Sequence, residues 1–311
     1  MNIAILGAAG FVGTNLTMEL AKDGENVITV VDEKREYFSP SINLPNVKKS
    51  LLTFNADIDF SDVLEGQDMV YHLISTNNPT SSNRDIGHDI TDNIKISINL
   101  LEACVRKHVK KIVFISSGGT VYGKTTELPI QEETVTNPIT TYGIQKLTIE
   151  KLLYLYQYVY GLEYAVVRLS NPYGPHQRPN GKLGVVTTFI HKALKGEKLV
   201  VYGDGSVVRD YIYISDAVDG IIRIANSDCE ERIFNLGSGK GTSVNEIIGM
   251  IEQAVQVPVE IEYVDKRSVD VPINVLDISK FERHFGRLHL KSLEEGILLT
   301  MQFLENAEAQ I

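Results

Sequence analysis

Cysteine is scarce in this 311-residue sequence, tryptophan is missing, and no hydrophobic run is long. The two cysteines, Cys104 and Cys229, lie far apart and in no metal-ligand spacing, which favours a reducing compartment over a disulfide-stabilised secreted protein. No stretch approaches the roughly 20 apolar residues of a membrane span. The apolar segment from Met1 to Gly13 lacks a basic leader and an obvious cleavage site, so it indicates a strand rather than a signal peptide. We expect a cytoplasmic protein.

Basic residues are also fewer than acidic ones: 30 stand against 40, and the formal net charge is −10. A field of this sign repels nucleic acid and anionic membranes, so neither is expected as a partner. An anionic substrate would need local arginines. Hydrophobic residues make up 43% of the chain, which is ample for one large or two modest domains. Neither His72 nor His176 has partners at zinc-ligand spacing, and we predict no catalytic metal.

Short β-rich runs alternate with helical stretches in the first half of the chain. Those runs are Asn2–Leu6, Asn26–Val31, Met69–Leu73, Lys111–Ser116 and Ala165–Leu169. Each is a continuous apolar run, as is typical of strands that are buried on both faces. The alternation predicts an α/β fold with a doubly wound parallel sheet of the Rossmann type.

The pattern loosens after about Asn171, where prolines and glycines accumulate. We therefore predict a main domain over residues 1–170 and a smaller, mixed α/β substrate-binding lobe over most of residues 171–311. A segment near residues 207–236 is expected to return to the main domain. The strands expected in this half are Leu199–Tyr202, Arg232–Leu236 and Val259–Tyr263.

A glycine-rich stretch, Gly7-Ala-Ala-Gly10-Phe-Val-Gly13, joins the first strand to a helix. Glycines there let the backbone turn tightly and approach a pyrophosphate, whose charge then lies on helix N–H groups. Asp32 ends the second strand, where a carboxylate can accept hydrogen bonds from both ribose hydroxyls of an adenosine and would repel a 2′-phosphate. The combination predicts NAD rather than NADP, although Lys34 and Arg35 weaken that preference.

The adenosine end leaves alternatives open. The glycine stretch could be a tight strand–helix turn beside a solvated Asp32, although the strand before it and the helix after it disfavour that interpretation. Asp57 and Ile58 are candidates for the adenine edge, since a carboxylate can accept a hydrogen bond from the exocyclic amine. An exposed loop aspartate explains Asp57 almost as well.

A second signal is Tyr142-Gly-Ile-Gln-Lys146, which begins a helix after the fourth predicted strand. Residues four apart share a helix face, so the ammonium lies beside the phenol. We expect Lys146 to lower the pKa of Tyr142 and to make this tyrosine a proton acceptor near neutral pH. The fourth strand leads into Ser116-Ser117-Gly118-Gly119-Thr120-Val121-Tyr122-Gly123, and hydroxyls at the carboxyl end of a parallel strand lie where ligands bind. A surface tyrosine–lysine pair is the alternative.

Further motifs follow in the second half of the chain. They are Arg168-Leu-Ser-Asn171-Pro-Tyr-Gly-Pro175, Gly203-Asp-Gly-Ser-Val-Val-Arg209-Asp-Tyr211 and Asn235-Leu-Gly-Ser-Gly239. Together with the motifs above, they resemble the extended short-chain dehydrogenase/reductase family, and within it the nucleotide-sugar epimerases of the UDP-glucose 4-epimerase type. The resemblance covers essentially the whole chain and is more specific for the superfamily than for the reaction. It implies that residues 1–170 bind NAD and that the substrate is a UDP-linked sugar.

The resemblance also implies roles for individual residues. Implied cofactor contacts beyond the glycines, Asp32, Asp57 and Ile58 are Phe11, Val12, Leu73, Asn93, Ser116, Tyr142, Lys146 and Tyr173. Implied substrate contacts are Ser117, Tyr142, Asn171, Arg209, Arg267, Asp270 and Asn274. Arg209 and Arg267 match arginines that grip a diphosphate, for which forked guanidinium donors are well suited. Asp270 matches an acid near the uridine ribose, and Asn93, ahead of a helix, matches an asparagine that supports the active site. Asn274 either stands beside the sugar's C2 substituent, where its small size would accept an N-acetyl group, or is a turn residue.

Gly118 departs from the family pattern, which often has serine or threonine four residues before the tyrosine of VYG. The active-site hydroxyl must then come from Ser117, which we favour, or from Thr120. Dehydratases and decarboxylases of the family carry an acid in this stretch, whereas Gly118 and Gly119 provide none. The sequence therefore predicts an NAD-dependent epimerase that inverts C4 of a UDP-linked hexose through a transient 4-keto sugar. A reductase or dehydratase of the same family is the alternative, and a non-catalytic dinucleotide-binding protein is less favoured.

The stretch Tyr142–Gly161 is apolar almost all round, which indicates a helix that is buried on more than one side. One face would cover the sheet, and the other would meet a partner subunit or the small lobe. The resemblance favours a homodimer with paired helices that include Asn93–Lys107.

Overall fold

Thirteen strands and eight helices make up the regular structure of residues 1–75, 86–179, 184–266 and 271–308, which the computed structural model describes. The strands are β1 (Asn2–Leu6), β2 (Val27–Asp32), β3 (Val47–Leu51), β4 (Met69–His72), β5 (Lys111–Ser117), β6 (Glu163–Leu169), β7 (Asn171–Tyr173), β8 (Leu199–Tyr202), β9 (Val208–Tyr213), β10 (Ile233–Leu236), β11 (Gly241–Ser243), β12 (Ile261–Val264) and β13 (Ile273–Asn274). The helices are α1 (Phe11–Leu20), α2 (Ile86–Arg106), α3 (Thr141–Tyr160), α4 (Val185–Leu194), α5 (Ile214–Ala225), α6 (Val244–Val255), α7 (Ser279–Phe285) and α8 (Leu293–Glu308).

A seven-stranded sheet of order β10-β6-β5-β4-β1-β2-β3 forms the centre of the molecule. Every neighbouring pair in it is parallel. The chain builds outward from β1 in one direction and from β4 in the other, so the order reverses between these two strands. The predicted doubly wound parallel sheet is confirmed, and ligands bind such sheets at the carboxyl ends of the strands around this reversal.

Both faces of the sheet are buried, which explains the continuous apolar runs in the sequence. Ile3 and Ile5 point into one hydrophobic cluster, which includes residues of α1 and α5. Ala4 and Leu6 point into a second cluster, which includes residues of α2 and α3. Burying an aliphatic side chain of this size stabilises a fold by roughly 1.5–3 kcal/mol, so the two clusters fix the helices on the sheet firmly.

One strand of the main sheet is missing from the sequence prediction. The strand β3 has the sequence VKKSL and lies at the edge beside β2, where its residues are exposed or half-buried. Lysines are common on edge strands because they discourage pairing with other chains, and they hide the apolar pattern. The third and fourth predicted strands are therefore β4 and β5.

The second half of the chain forms two further sheets and also returns to the first. The strand β9 pairs with β7, β11 and β13, and β8 pairs with β12. The strand β10 pairs with β6, and α5 packs against α1 and β6. The division into a main domain and a smaller lobe stays a prediction.

The helix α2 begins earlier than expected. It starts at Ile86, so Asn93 lies about two turns inside the helix, and the placement of Asn93 ahead of a helix was wrong. The segment from Ile86 to Asp92 is mostly polar, although Ile86 and Ile90 are four residues apart and therefore share one helix face. A prediction that looks for an apolar helix start overlooks this segment. Within the described ranges, no helix is long and apolar enough to cross a bilayer. The cytoplasmic location stays a prediction.

Candidate active site

The turn between β1 and α1 is a close-packed glycine cradle. Gly7 has a φ of +82°, and a Cβ there would lie 3.1 Å from the backbone of Leu73. A Cβ on Gly13 would lie 2.7 Å from the Cα of Ala8 and from the carbonyl oxygen of Gly7. Both contacts are with backbone atoms, which cannot give way, so glycine is required at these two positions. The start of α1 thus stays open toward an anion at the reversal of the sheet.

Asp32 ties the end of β2 to this cradle. Its Oδ2 accepts a hydrogen bond of 2.9 Å from the backbone N–H of Ala9, and its Oδ1 accepts one from Glu33. Burial raises the pKa of Asp32, while the two backbone N–H groups and the charge of Arg178 oppose that rise. Lys34 stacks over the ring of Tyr37 instead of pairing with the carboxylate. A half-buried carboxylate beside the glycine cradle fits the ribose of an NAD adenosine.

The other predicted cofactor residues fall in different environments. Ile58 is buried, whereas Asp57 is exposed in a loop. Phe11, Val12 and Leu73 are half-buried around the cradle. Asn93 is 5% exposed in α2.

The first two turns of α3 carry Tyr142 and Lys146. The helix begins where the Thr140 side chain accepts a hydrogen bond from the N–H of Gly143. The Lys146 ammonium donates a hydrogen bond of 2.8 Å to the carbonyl of Ile115 in β5. It lies 4.7 Å from the ring centroid of Phe114 and 5.5 Å from that of Tyr142. The lysine therefore faces both the tyrosine and the carboxyl end of β5.

The pKa values of these two residues depart from the expectation. Burial raises the pKa of Tyr142 to about 12, so the prediction that Lys146 lowers it is wrong for the chain's own groups. Burial also lowers the pKa of Lys146 to about 8, although the charge of Glu150 opposes this change. Burial is the largest cause of both changes, and the ammonium donates its hydrogen bond to the Ile115 carbonyl.

The candidate hydroxyls at the end of β5 differ in accessibility. Ser117 is half-buried, whereas the Oγ1 of Thr120 is buried and has no hydrogen-bond partner within the described ranges. The Ser116 side chain donates a hydrogen bond of 2.5 Å to Oε1 of Glu150. The structure thus commits the hydroxyl of Ser116 to α3, and any contact that Ser116 makes with a cofactor would come from its backbone.

Gly118 is packed closely against apolar side-chain atoms and backbone atoms. A Cβ at this position would lie 2.5 Å from Cδ1 of Leu276 and 3.0 Å from the carbonyl oxygen of Arg168. Asn274 donates a hydrogen bond of 3.1 Å to the Gly118 carbonyl and is 1% exposed. Asn274 belongs to β13, so its interpretation as a turn residue is wrong. The space that a larger residue would occupy at position 118 is filled by Leu276.

Two of the predicted substrate residues, Asn171 and Arg209, lie on β7 and β9. Asn171 donates a hydrogen bond of 2.9 Å to the carbonyl of Asp210, and Arg209 donates one of 2.6 Å to the carbonyl of Val271. Tyr173 is 2% exposed and directs its hydroxyl at the Leu293 carbonyl, 3.5 Å away, so its side chain packs against α8. Two more predicted residues, Arg267 and Asp270, lie outside the described residues.

A buried polar network behind Lys146 was missed from the sequence. Glu150 and Arg168 form an ion pair of 2.7 Å with side chains that are 1% and 4% exposed. Arg168 also donates a hydrogen bond of 2.9 Å to the Tyr122 hydroxyl, which in turn donates one of 2.6 Å to Asn235. Lys146 and Glu150 are four residues apart and therefore share one helix face, and this spacing was a signal in the sequence that Glu150 lies beside Lys146.

Two histidines near the site have no ligand-like environment. His72 is buried, and its Nε2 lies 3.0 Å from the hydroxyl of Ser97. Burial, with a smaller contribution from the Lys146 charge, lowers the pKa of His72 to about 3, so the ring is neutral. His176 packs edge-on against Phe303. Among the described residues, no group of three His, Cys, Asp or Glu side chains could hold a metal ion.

The geometry agrees with the comparisons to known proteins. The NAD-dependent epimerase/dehydratase family matches residues 3–237, which is more than half of the chain. The chain belongs to this family. It is 33% identical over 307 residues to a putative UDP-glucose 4-epimerase from Methanocaldococcus jannaschii, with 98% of each chain covered. It is also 31% identical to a UDP-N-acetyl-alpha-D-glucosaminuronate decarboxylase from Bacillus cytotoxicus, again with 98% of each chain covered.

A solved structure of the epimerase/dehydratase family is similar over its full length. The crystal structure of UDP-glucose 4-epimerase with UDP-glucose from Thermotoga maritima has a TM-score of 0.90 and 32% identity, and it covers 99% of this chain and 100% of that one. The predicted extended short-chain dehydrogenase/reductase family is thereby confirmed, as is an enzyme whose family depends on NAD. The relatives include both epimerases and a decarboxylase, so membership alone leaves the reaction open.

Proposed function

We propose that this enzyme inverts C4 of a UDP-linked hexose through a transient 4-keto sugar. The observation that carries the proposal is the closed position at Gly118. Dehydratases and decarboxylases of the family carry an acid in this stretch, whereas this chain has Gly118 and Gly119, and a Cβ at position 118 would lie 2.5 Å from Leu276 and 3.0 Å from the Arg168 carbonyl oxygen. Tyr142 and Lys146 are retained beside it, which suits proton transfer and hydride transfer without elimination.

The residues around the glycine cradle fit NAD. Gly7, Gly10 and Gly13 would hold the pyrophosphate at the start of α1, and Asp32 would accept the ribose hydroxyls. Further contacts would come from Phe11, Val12, Leu73, Asn93, Tyr173 and the backbone of Ser116, and the adenine edge would meet Ile58 and, more weakly, Asp57. When bound, NAD supplies a reversible acceptor for the hydride of C4.

Proton transfer falls to Tyr142. Its phenol would take the proton of the sugar's C4 hydroxyl and return it after inversion. The pKa of about 12 means that the protein's own groups keep Tyr142 protonated, so the charge that helps it to ionise has to accompany the ligands. Ser117 would hold the reacting oxygen, because its hydroxyl is more accessible than that of Thr120.

We assign the tight binding of the substrate to the nucleotide end of the UDP-sugar. Arg209 and Arg267 would bind the diphosphate and Asp270 the uridine ribose, while Asn171 lies between the two ends of the site. Inversion requires the keto sugar to present its other face, so the hexose must be held loosely and the nucleotide tightly. Asn274 would leave room for a C2 N-acetyl group, since an asparagine is smaller than an aromatic residue.

The test is incubation of the pure enzyme with UDP-glucose, UDP-galactose and their N-acetyl forms, with the products separated by chromatography. We expect C4 inversion of at least one pair and no net change in NADH. Steady consumption of added NADH would instead indicate the reductase. A complete lack of C4 inversion in all four sugars would contradict the proposal.

The exposed face of α3 supports a homodimer. Ile149, Leu153 and Tyr156 are buried, whereas the opposite face is exposed in a single chain, so its burial by a partner subunit stays a prediction. The exposed apolar residues are Tyr154, Leu155, Tyr158, Val159 and Tyr160. The small lobe leaves this face open, which favours a second copy of the chain, paired through α2 and α3. Light scattering should give the mass of a dimer at micromolar concentration, and a monomer mass would contradict this assignment.

A further inference from the structure

The network behind the catalytic helix joins α3 to β5, to β6 and to the loop that follows β5. Glu150 lies one turn after Lys146 in α3. Its Oε1 accepts the Ser116 hydroxyl at 2.5 Å, and its Oε2 accepts Nη2 of Arg168 at 2.7 Å. Ser116 and Arg168 are direct partners across β5 and β6. One carboxylate therefore connects α3 to the next-to-last residues of two neighbouring strands.

We propose that Glu150 is a positioning residue for the epimerase reaction, holding Tyr142 and Lys146 at a fixed distance from the hydroxyl of Ser117 through its bonds to Ser116 and Arg168. The inference rests on the proposed function, since it assigns Glu150 a part in that reaction.

The energetics favour a positioning role over one of simple stabilisation. Two charges with side chains that are 1% and 4% exposed lose most of their hydration, and such a pair contributes little net stability compared with apolar residues of the same size. A well-bonded buried pair does, however, allow few alternative arrangements. Glu150 has hydrogen bonds to both oxygens, so sliding or rotating α3 against β5 would break at least one of them.

The network reaches the loop that follows β5 as well. Arg168 donates from Nη1 to the Tyr122 hydroxyl and to the Glu132 carbonyl. Tyr122 ends the stretch that begins with Ser116, so both ends of the stretch that carries Ser117 and Thr120 are bonded to the same ion pair.

Glu150 also acts on the charge of Lys146. The charged and titratable groups that face Lys146 are Tyr142 and Glu150 on its own helix, His72 on β4 and, behind Glu150, Arg168 on β6. Of these, Glu150 raises the pKa of Lys146 against the effect of burial. Loss of the Glu150 charge would leave Arg168 unbalanced, and both changes favour the neutral amine.

The experiment compares Glu150→Gln with wild type and with Asp216→Asn, all saturated with NAD. Asp216 is a matched control, because it is also buried and ion-paired, to Lys291 at 3.1 Å, in α5. We expect Glu150→Gln to lower kcat about 10- to 100-fold, with KM for the UDP-sugar little changed, because a small misplacement of reacting groups costs rate rather than binding. The alkaline limb of the kcat profile should move to lower pH by about one unit. Asp216→Asn should show neither effect.

A direct titration separates this inference from the proposed reaction. In protein that carries ¹³C at the lysine ε-carbons, the Lys146 signal, assigned with a Lys146→Met variant, is followed with pH. We expect it to titrate at lower pH in Glu150→Gln than in wild type or Asp216→Asn. If wild type inverted no sugar while this shift occurred, the proposed function would fail and the contact between Glu150 and Lys146 would stand.

A milder variant covers the case in which Glu150→Gln does not fold. Ser116→Ala removes one hydrogen bond and keeps the ion pair, so kcat should fall about 3- to 10-fold while the Lys146 titration stays that of wild type. Equal kcat and equal pH profiles for Glu150→Gln and Asp216→Asn would overturn the inference. So would a Ser116→Ala variant with the wild-type kcat.

Discussion

The α3–β5 side of the site and the β9–β13 side are held by different kinds of contact. On the first side, Lys146 and Glu150 are almost fully buried and make hydrogen bonds of 2.8 Å and 2.5 Å to β5. On the second side, Arg209 and Asn171 are half-buried and donate hydrogen bonds to the carbonyls of Val271 and Asp210. The reaction centre is therefore fixed by contacts with the main sheet, whereas the residues proposed to bind the substrate make contacts that can adjust. Changes on the first side should therefore act on kcat and changes on the second side on KM.

The largest effect is expected from Tyr142→Phe. It removes the proton-transferring hydroxyl and keeps the ring, so kcat should fall about 10³- to 10⁴-fold while KM for the UDP-sugar changes little. Steady-state kinetics measure both values. Tyr158→Phe is the control, since Tyr158 lies on the same helix and is 79% exposed. A Tyr142→Phe enzyme with nearly the wild-type rate would show that another group moves the proton.

The next effect separates two hydroxyls on the first side. Ser117→Ala should lower kcat about 100-fold, because a donor to the reacting oxygen is lost. Thr120→Val, which keeps the shape of the side chain, should cost much less, because the Thr120 Oγ1 is buried away from an incoming sugar. Parallel kinetics of the two variants decide the assignment. The reverse order would identify Thr120 as the active-site hydroxyl.

On the second side, Arg209→Met should raise KM about 10- to 100-fold, because hydrogen bonds to a charged group contribute about 1.5–3 kcal/mol. We expect kcat to change far less. Arg106→Met is the control, since Arg106 is half-exposed and forms only long ion pairs with Asp59 and Glu102. A loss confined to kcat would break the comparison, because Arg209 would then belong functionally to the reaction centre.

The sequence predicted the main sheet well because its signals are local. A buried parallel strand such as Ile3–Leu6 is a continuous apolar run, and the glycines of the β1–α1 turn are required by contacts within a few residues or with the adjacent strand. The edge strand β3 was missed because its two lysines break that pattern. The short strands β7, β11 and β13 have only two or three residues, which is too few for any periodicity.

The site was predicted in outline and missed in its supporting contacts. Motif spacing places Tyr142 and Lys146 on one helix face, but the pKa of Tyr142 depends on burial, which spacing does not encode. The packing of Leu276 onto Gly118 joins positions 158 residues apart in sequence, and no local pattern marks it. The ion pair of Glu150 with Arg168 depends on two strands and a helix meeting in three dimensions.

The smallest expected effect is on the free energy of unfolding, and it tests the α3–β5 side through stability instead of kinetics. The pKa of Lys146 falls from 10.5 to about 8 on folding, so the folded state resists holding the ammonium. This penalty is complete below about pH 8 and disappears as the pH rises to about 10.5, where the lysine is neutral in both states. At about 1.4 kcal/mol for each tenfold change in the acid dissociation constant, this fall in pKa gives an upper bound near 3.5 kcal/mol. Lys146→Met should therefore be more stable than wild type at neutral pH by about 1–3 kcal/mol, although inactive.

Urea unfolding across this pH range measures the effect, with Lys151→Met as the control, because Lys151 is exposed on the same helix. The advantage of Lys146→Met should shrink as the pH rises toward about 10.5, and Lys151→Met should show no such trend. A Lys146→Met protein that is less stable than wild type at neutral pH would mean that the hydrogen bond to the Ile115 carbonyl outweighs burial. The contacts of Lys146 with β5 would then stabilise the folded state. The predicted result means instead that the buried ammonium at the reaction centre destabilises the folded state.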